Sequence, residues 1–292
     1  MRKILLATDL SKRSDRALQR AIQLGRDFMA EVCILHVIDE ELPVTLIETE
    51  KQHASLLLEE MVRAAAGPAG PQVRLLVEVG DALKTILRVA EANAVDLVVM
   101  GAHRRRPLQD AFVGTTIERV MRLGGWPVLM VNRPATHPYR YVLAAVDLSE
   151  SSAHALSVTA RLGLLRDADL KVLHVYRVPA KGMLTYAGVT DESIHEHVAL
   201  SAREAMERLT HFVEGVGLEG PRIGKAVEEG EAVEGIRRVV ERERPDLLVA
   251  GTRGHTGLRK VLLGSVASRL LREVDCDVLA VPPEKAESQP QA

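Results

Sequence analysis

The stretch Ile4-Leu-Leu-Ala-Thr-Asp-Leu-Ser11 occurs twice in this chain and returns as Val142-Leu-Ala-Ala-Val-Asp-Leu-Ser149. A short apolar run that ends in Asp and Ser is typical of a buried β-strand followed by the first residues of a helix. The tripeptide Leu35-His-Val37 also returns, as Leu173-His-Val175, at the same offset of 138 residues. A constant offset indicates an internal duplication.

The duplication continues to the end of each repeat. Val95-Asp-Leu-Val-Val-Met-Gly101 matches Pro245-Asp-Leu-Leu-Val-Ala-Gly251 at an offset of 150, so the second repeat carries 12 additional residues. We place this insertion within 176–200, where Pro and Gly residues indicate a loop. Arg133-Pro-Ala-Thr-His-Pro138 is the predicted linker because its prolines suit neither helix nor strand. The predicted domains are 1–133 and 140–283.

Strand and helix signals alternate within each repeat, which predicts an α/β fold with an open, mostly parallel five-stranded sheet and helices on both faces. The pattern does not determine the strand order. In the first repeat, strands are predicted at 4–8, 31–38, 73–79, 96–100 and 127–131, and helices at 12–29, 44–66, 81–93 and 114–123.

Composition excludes several classes of protein. Aromatic residues make up 3% of the 292 residues and the formal net charge is −2, which argues against nucleic-acid binding. No apolar run approaches the roughly 18 residues of a membrane span. Cys33 and Cys276 lie in apolar, strand-like runs and do not form a disulfide framework. We therefore expect a cytoplasmic protein with no membrane partner.

The strongest chemical signal is Gly251-Thr-Arg-Gly254, followed nine residues later by Gly264-Ser265. Glycines beyond the carboxyl end of a strand let the backbone approach a phosphate, and the following helix adds its positive N-terminus. The first two glycines alone are equally consistent with an ordinary turn. The chain has neither a P-loop nor the G-x-G-x-x-G pattern of dinucleotide-binding domains.

With the Asp that ends each first strand (Asp9, Asp147) and the repeated Leu-His-Val, this G-x2-G-x9-G-S pattern resembles the universal stress protein family in its tandem form. The resemblance implies two adenine-nucleotide alpha-hydrolase-like sheets of order 3-2-1-4-5, with ATP or ADP, and Mg²⁺ as a possible companion, in the second domain. It implies that Asp147 contacts ribose or base, that the Val175 backbone meets adenine, and that the glycine loop holds phosphates, although Ala267 stands where some members have Thr. The implied nucleotide-binding set is Ala145, Val146, Asp147, Val175, Ala250, Gly251, Arg253, Gly254, Gly264, Ser265 and Val266.

The first repeat departs from this pattern because Arg104 replaces the second glycine in Gly101-Ala-His-Arg104, nine residues before Gly114-Thr115. An Arg side chain obstructs close approach of a phosphate, so we expect weak or absent ATP binding there. Two alternatives are a separate anion site at His103-Arg-Arg-Arg106 and a basic loop that faces water. The corresponding first-domain positions are Thr8, Asp9, Val37, Gly101, Arg104, Gly114 and Thr115.

Other polar residues have simpler interpretations. His36 and His174 share a fold position, Ser11 and Ser149 are expected to cap helices, and His195-x-His197 lacks further metal ligands, so no metal site is predicted. No catalytic group is evident.

We therefore expect a non-enzymatic stress-response regulator that binds ATP or ADP. The alternatives are a weak ATPase assisted by Arg253, His255 or Asp147, and a scaffold that binds no nucleotide. The last strands, Val128–Val131 and Val278–Val281, are expected to pair within the chain as a pseudo-dimer, and a homodimer is possible.

Overall fold

The computed structural model describes residues 1–102, 115–178, 190–218, 220–252 and 263–284. Strands and helices alternate in both repeats, as predicted. The first repeat contains β1 (Lys3–Thr8), α1 (Lys12–Phe28), β2 (Glu31–Ile38), α2 (Val44–Ala66), β3 (Val73–Val79), α3 (Ala82–Ala92), β4 (Leu97–Gly101), α4 (Thr116–Leu123) and β5 (Val128–Val131). The second contains β6 (Tyr141–Val146), α5 (Glu150–Arg161), β7 (Asp169–Tyr176), α6 (Asp191–Val216), β8 (Ile223–Glu229), α7 (Ala232–Glu243), β9 (Leu247–Gly251), α8 (Ser265–Glu273) and β10 (Asp277–Val281).

The strands form one continuous sheet in the order β3-β2-β1-β4-β5-β10-β9-β6-β7-β8. Each half has the expected order 3-2-1-4-5, and its strands are parallel. The two halves join because β5 and β10 pair antiparallel, with Leu279 opposite Leu129. The fold class is confirmed, and the two five-stranded sheets are in fact halves of a single ten-stranded sheet.

Helices cover both faces of this sheet, and the alternation of side chains along the strands separates two cores. Ile4 and Leu6 point into the core beneath α1 and α5, whereas Leu5 points into the core beneath α3 and α7. All three side chains are fully buried. Strands that are buried on both faces explain the continuous apolar runs in the sequence.

The turn after the first strand of each half is tight and has the same conformation in both repeats. Leu10 and Leu148 adopt φ values of 58° and 63°, in the left-handed region that non-glycine residues seldom occupy. Ser149 caps α5 as predicted, accepting a hydrogen bond from the Ser152 amide at 3.2 Å. The prediction for Ser11 is wrong in this respect: it occupies the cap position of α1, but its side chain accepts no capping hydrogen bond.

The extra residues of the second repeat lie where they were expected. Residues 39–43 separate β2 from α2, whereas 177–190 separate β7 from α6, and α6 is also longer than α2. Cys33 and Cys276 are both buried and free, but Cys276 lies one residue before β10 and not within a strand. None of the helices in the described ranges is both long enough and apolar enough to cross a membrane.

Candidate functional site

The carboxyl ends of β6, β7 and β9 and the first turn of α8 surround a cleft of about 280 Å³, called here the second cleft. Ligands of open α/β sheets bind at this edge, where loops and helix N-termini converge. Arg253 and Gly254 lie outside the described residues. The other members of the implied nucleotide-binding set all line the second cleft: Ala145, Val146, Asp147, Val175, Ala250, Gly251, Gly264, Ser265 and Val266.

Asp147 is held at the rim of the second cleft by the first turn of α5. Its Oδ1 accepts hydrogen bonds from the Ser149 amide at 3.1 Å and from Ser152 Oγ at 2.7 Å. The Asp147 amide in turn donates to Ser152 Oγ at 3.2 Å. These bonds fix the direction of the carboxylate, which suits it to accept hydrogen bonds from ligand hydroxyl groups.

An apolar wall lies opposite the loop side of the second cleft, and α7 supplies part of it. This helix packs very close to β7, since a Cβ on Gly235 would lie 2.8 Å from Val175 Cγ1. Most of this wall was not predicted from the sequence, although the identity of Ala82 and Ile86 with Ala232 and Ile236 in the two repeats is a signal that could have indicated it. The residues missed are Ser152, Leu173, Ala232, Ile236 and Leu270.

The N-terminus of α8 is open toward the second cleft. Its N-cap residue is Gly264, and no side chain caps the helix. The Gly264 amide donates to the Thr252 carbonyl at 2.8 Å, which brings the two ends of the glycine loop together. The next amides, from Ser265 onward, belong to the first turn and have no intrahelical acceptor. Such a terminus suits an anionic group.

The corresponding edge of the first half forms a cleft of about 420 Å³, called here the first cleft. Thr8, Asp9, Val37 and Gly101 line it. Burial alone would raise the pKa of Asp9, but hydrogen bonds from Ser11 and Ser14 hold that pKa below its usual value. Arg104 and Gly114 lie outside the described residues.

Thr115 has a different role from the one that its position implied. Its hydroxyl accepts from the Glu118 amide at 3.2 Å, and Glu118 Oε2 accepts from the Thr115 amide at 3.0 Å. This capping box satisfies two donors at the N-terminus of α4 and places a carboxylate there. Thr116, one residue further on, lines the first cleft instead. The two clefts therefore differ in their helix termini as well as in their glycine loops.

The paired histidines stabilise the strand ends. His36 Nδ1 lies 3.0 Å from the Thr8 carbonyl oxygen, and His174 Nδ1 lies 3.0 Å from that of Val146. A carbonyl only accepts, so Nδ1 carries the proton in both rings. The described ranges contain no group of three or more potential metal ligands.

The fold and these clefts define the class: a tandem α/β protein with a cleft at the carboxyl edge of each parallel half-sheet. The model of the universal stress protein family matches residues 1–132 and 138–282. This chain therefore belongs to the universal stress protein family.

Similar proteins support both the tandem organisation and the fold. A universal stress protein of Mycolicibacterium smegmatis is 25% identical over 293 residues, which cover 96% of this chain and 97% of that protein. One from Synechocystis is 32% identical over 150 residues, covering 49% of this chain and 97% of its own length. The crystal structure of a universal stress protein from Archaeoglobus fulgidus superimposes with a TM-score of 0.70 at 21% identity, covering 96% of each chain.

Proposed function

We propose that this protein is a cytoplasmic stress-response regulator that binds ATP or ADP in the second cleft without turning it over. The observation that carries this proposal is the convergence of three complementary surfaces on one cleft. These are an apolar wall for a purine, the oriented Asp147 carboxylate for ribose hydroxyls, and the uncapped N-terminus of α8 for phosphates. The free, buried cysteines suit a reducing compartment.

The proposed ligand follows from the chemistry of these surfaces. The wall formed by Leu173, Val175 and Ile236 offers apolar contact to a flat ring. The amides of the first turn of α8 offer hydrogen bonds and a positive dipole end to a phosphate chain. Mg²⁺ would accompany the nucleotide as a counter-ion of its phosphates.

Regulation is favoured over hydrolysis by the second cleft itself. Among its described lining residues, Asp147 is the one carboxylate, and its Oδ1 already accepts from Ser149 and Ser152. Phosphoryl transfer to water needs a group that orients the attacking water. A bound nucleotide would instead shift a conformational or partner equilibrium by its difference in affinity for the two states.

Nucleotide binding is tested by mass spectrometry of small molecules released from the purified, denatured protein, and by calorimetric titration with ATP and ADP. We expect an adenine nucleotide to be released and to titrate into the second cleft. Gly254→Arg copies the first repeat at this position and is expected to weaken binding at least about tenfold, because the side chain obstructs the phosphates. Arg259→Ser, on the same loop, is the control. If no adenine nucleotide is released and neither ATP nor ADP binds in the titration, the proposal is refuted and a scaffold is favoured. Turnover by the parent protein that Gly254→Arg abolishes would favour an ATPase.

A further inference from the structure

The apolar halves of the two clefts share five residue types. Comparison of the repeats shows that five apolar positions of the first cleft are identical in the second, whereas Met100 and Ile117 stand where the second repeat has Ala250 and Ala267. The matched pairs are Ala7 and Ala145, Leu35 and Leu173, Val37 and Val175, Ala82 and Ala232, and Ile86 and Ile236. Asp9 matches Asp147 and is held by Ser14 as Asp147 is held by Ser152. The part of the second cleft that suits a nucleoside is therefore present in the first.

The polar halves of the clefts differ. The first cleft has Thr8, Arg13 and Thr116 where the second repeat has Val146, Ser151 and Val266. All three changes add a hydrogen-bonding or charged group to the first cleft. The most important is Arg13, because a guanidinium matches the geometry of a phosphate and is always charged.

Arg13 is positioned for this role by the packing of α1 against β4. A Cβ on Gly101 would lie 3.0 Å from the Arg13 carbonyl oxygen, so the first turn of α1 packs directly on the end of β4. Arg13 is partly buried and lines the first cleft. Throughout the described ranges it forms no hydrogen bond or ion pair, whereas Arg16 and Arg20 of the same helix are both engaged. A cation of this kind in a cleft is available to a ligand.

The site for a long phosphate chain is weaker in the first cleft. The N-terminus of α4 is occupied by its own capping box, with the Glu118 carboxylate beside it. At the same time, Arg104 replaces the glycine that the second repeat has as Gly254. One phosphate held by Arg13 needs neither feature.

We propose that the first cleft is a second ligand site, specific for a nucleoside monophosphate, in which Arg13 holds the phosphate and Asp9 the ribose hydroxyls. The apolar wall formed by Leu35, Val37 and Ile86 packs against the base. This site lies in the first repeat, so the proposal for it does not depend on whether the second cleft binds ATP.

The test uses the full chain carrying Gly254→Arg, with binding of AMP, ATP, adenosine and inorganic phosphate measured by calorimetry. We expect one AMP per chain, and ATP bound at least about tenfold more weakly. Arg13→Ser, which places the second repeat's residue in the first cleft, is expected to weaken AMP about tenfold or more and adenosine less than about twofold, since only the phosphate contact is lost. Lys12→Ser removes the same charge from the adjacent exposed position and is expected to leave AMP binding unchanged.

Four results would overturn the assignment: no AMP binding, equal affinity for AMP and ATP, equal effects of Arg13→Ser and Lys12→Ser, or inorganic phosphate binding as tightly as AMP. Far-ultraviolet circular dichroism establishes that each variant is folded. Asp147→Ala is the alternative background if Gly254→Arg does not fold. Failure of the ATP proposal has a separate signature, because the parent would then bind AMP in the first cleft and release no ATP or ADP.

Discussion

Asp277 is a buried residue at the junction of the two halves. Its carboxylate is fully buried. It accepts hydrogen bonds from the Asn132 and Arg133 amides at 2.8 and 3.0 Å, and from the Tyr139 hydroxyl at 2.7 Å. Arg20 Nε lies 3.3 Å from Asp277 Oδ2, without the alignment of a hydrogen bond, and the Arg20 guanidinium stacks 4.2 Å from the Tyr139 ring centre. This one side chain therefore connects α1, the linker and β10.

Asp277→Ala is expected to lower the free energy of unfolding by about 3–5 kcal/mol, because it leaves the buried Arg20 cation without its carboxylate. Urea denaturation followed by circular dichroism measures the change. Asp96→Ala is the matched control, since Asp96 also accepts hydrogen bonds from two backbone amides, those of Arg2 and Lys3, but is only partly buried. If both variants lose the same free energy of unfolding, the buried ion pair of Arg20 and Asp277 contributes nothing beyond the hydrogen bonds to the backbone amides.

At the scale of elements, α4 and α8 are joined across the junction by Glu118. Its Oε1 accepts from Arg272 Nη2 at 2.7 Å and from Ser268 Oγ at 3.0 Å, while its Oε2 caps α4. Burial would raise the pKa of Glu118, but the hydrogen bonds from Arg272, Thr115 and Ser268 hold it below its usual value. The symmetry-related contact, from the second repeat to Arg122 of the first, does not exist. Arg122 is the counterpart of Arg272, but the counterpart of Glu118 is Ser268, which has no carboxylate.

Glu118→Gln is expected to destabilise the folded protein by about 1–3 kcal/mol at neutral pH, because charge-assisted hydrogen bonds to Arg272 are lost. The folded-state pKa is depressed, so this contribution is present above the unfolded glutamate pKa of about 4.3 and disappears as the pH falls through the folded value. Thermal unfolding of parent and variant between neutral and acidic pH is expected to show that their difference in stability disappears as the pH falls. Glu234→Gln, which breaks an exposed pair with Arg269, is expected to have a smaller effect. If the parent is still more stable than Glu118→Gln against thermal unfolding at the lowest pH, this explanation is contradicted.

At the scale of the whole molecule, the pairing of β5 with β10 removes two apolar sheet edges. Val128, Leu129 and Val131 are at most 1% exposed, and Leu129 faces Leu279 across the junction. An unpaired apolar strand is a template for association with another chain. Because both strands are paired internally, a homodimer of the full chain would have to use another surface.

A fragment of residues 1–135 is therefore expected to associate through β5, whereas β5 of the full chain is already paired. Size-exclusion chromatography with light scattering gives the molar mass of each. The full chain at the same concentration is the control. A fragment that is folded and monomeric would show that β5 needs no partner strand.

Much of this structure was predictable because its signals are local and repeated. Apolar runs, caps and glycines indicated the strands, the helices and the carboxyl edge at which nine predicted site residues line the second cleft. The internal repeat supplied the comparison that an isolated sequence normally lacks. The difference between Arg104 in the first repeat and Gly254 in the second is therefore visible in the sequence alone.

The sequence by itself determined the duplication, the α/β class and nine of the residues that line the second cleft, because these lie in short motifs that the two repeats share. Only the tertiary structure decided that the halves form one sheet, that Asp277 and Glu118 connect them, and that Arg13 lines the first cleft. Arg20 and Asp277 are far apart in the chain, and Val158 and Pro127 replace them in the other repeat. A contact made once, between distant residues, leaves no periodic signal, so it becomes visible only when packing brings its partners together.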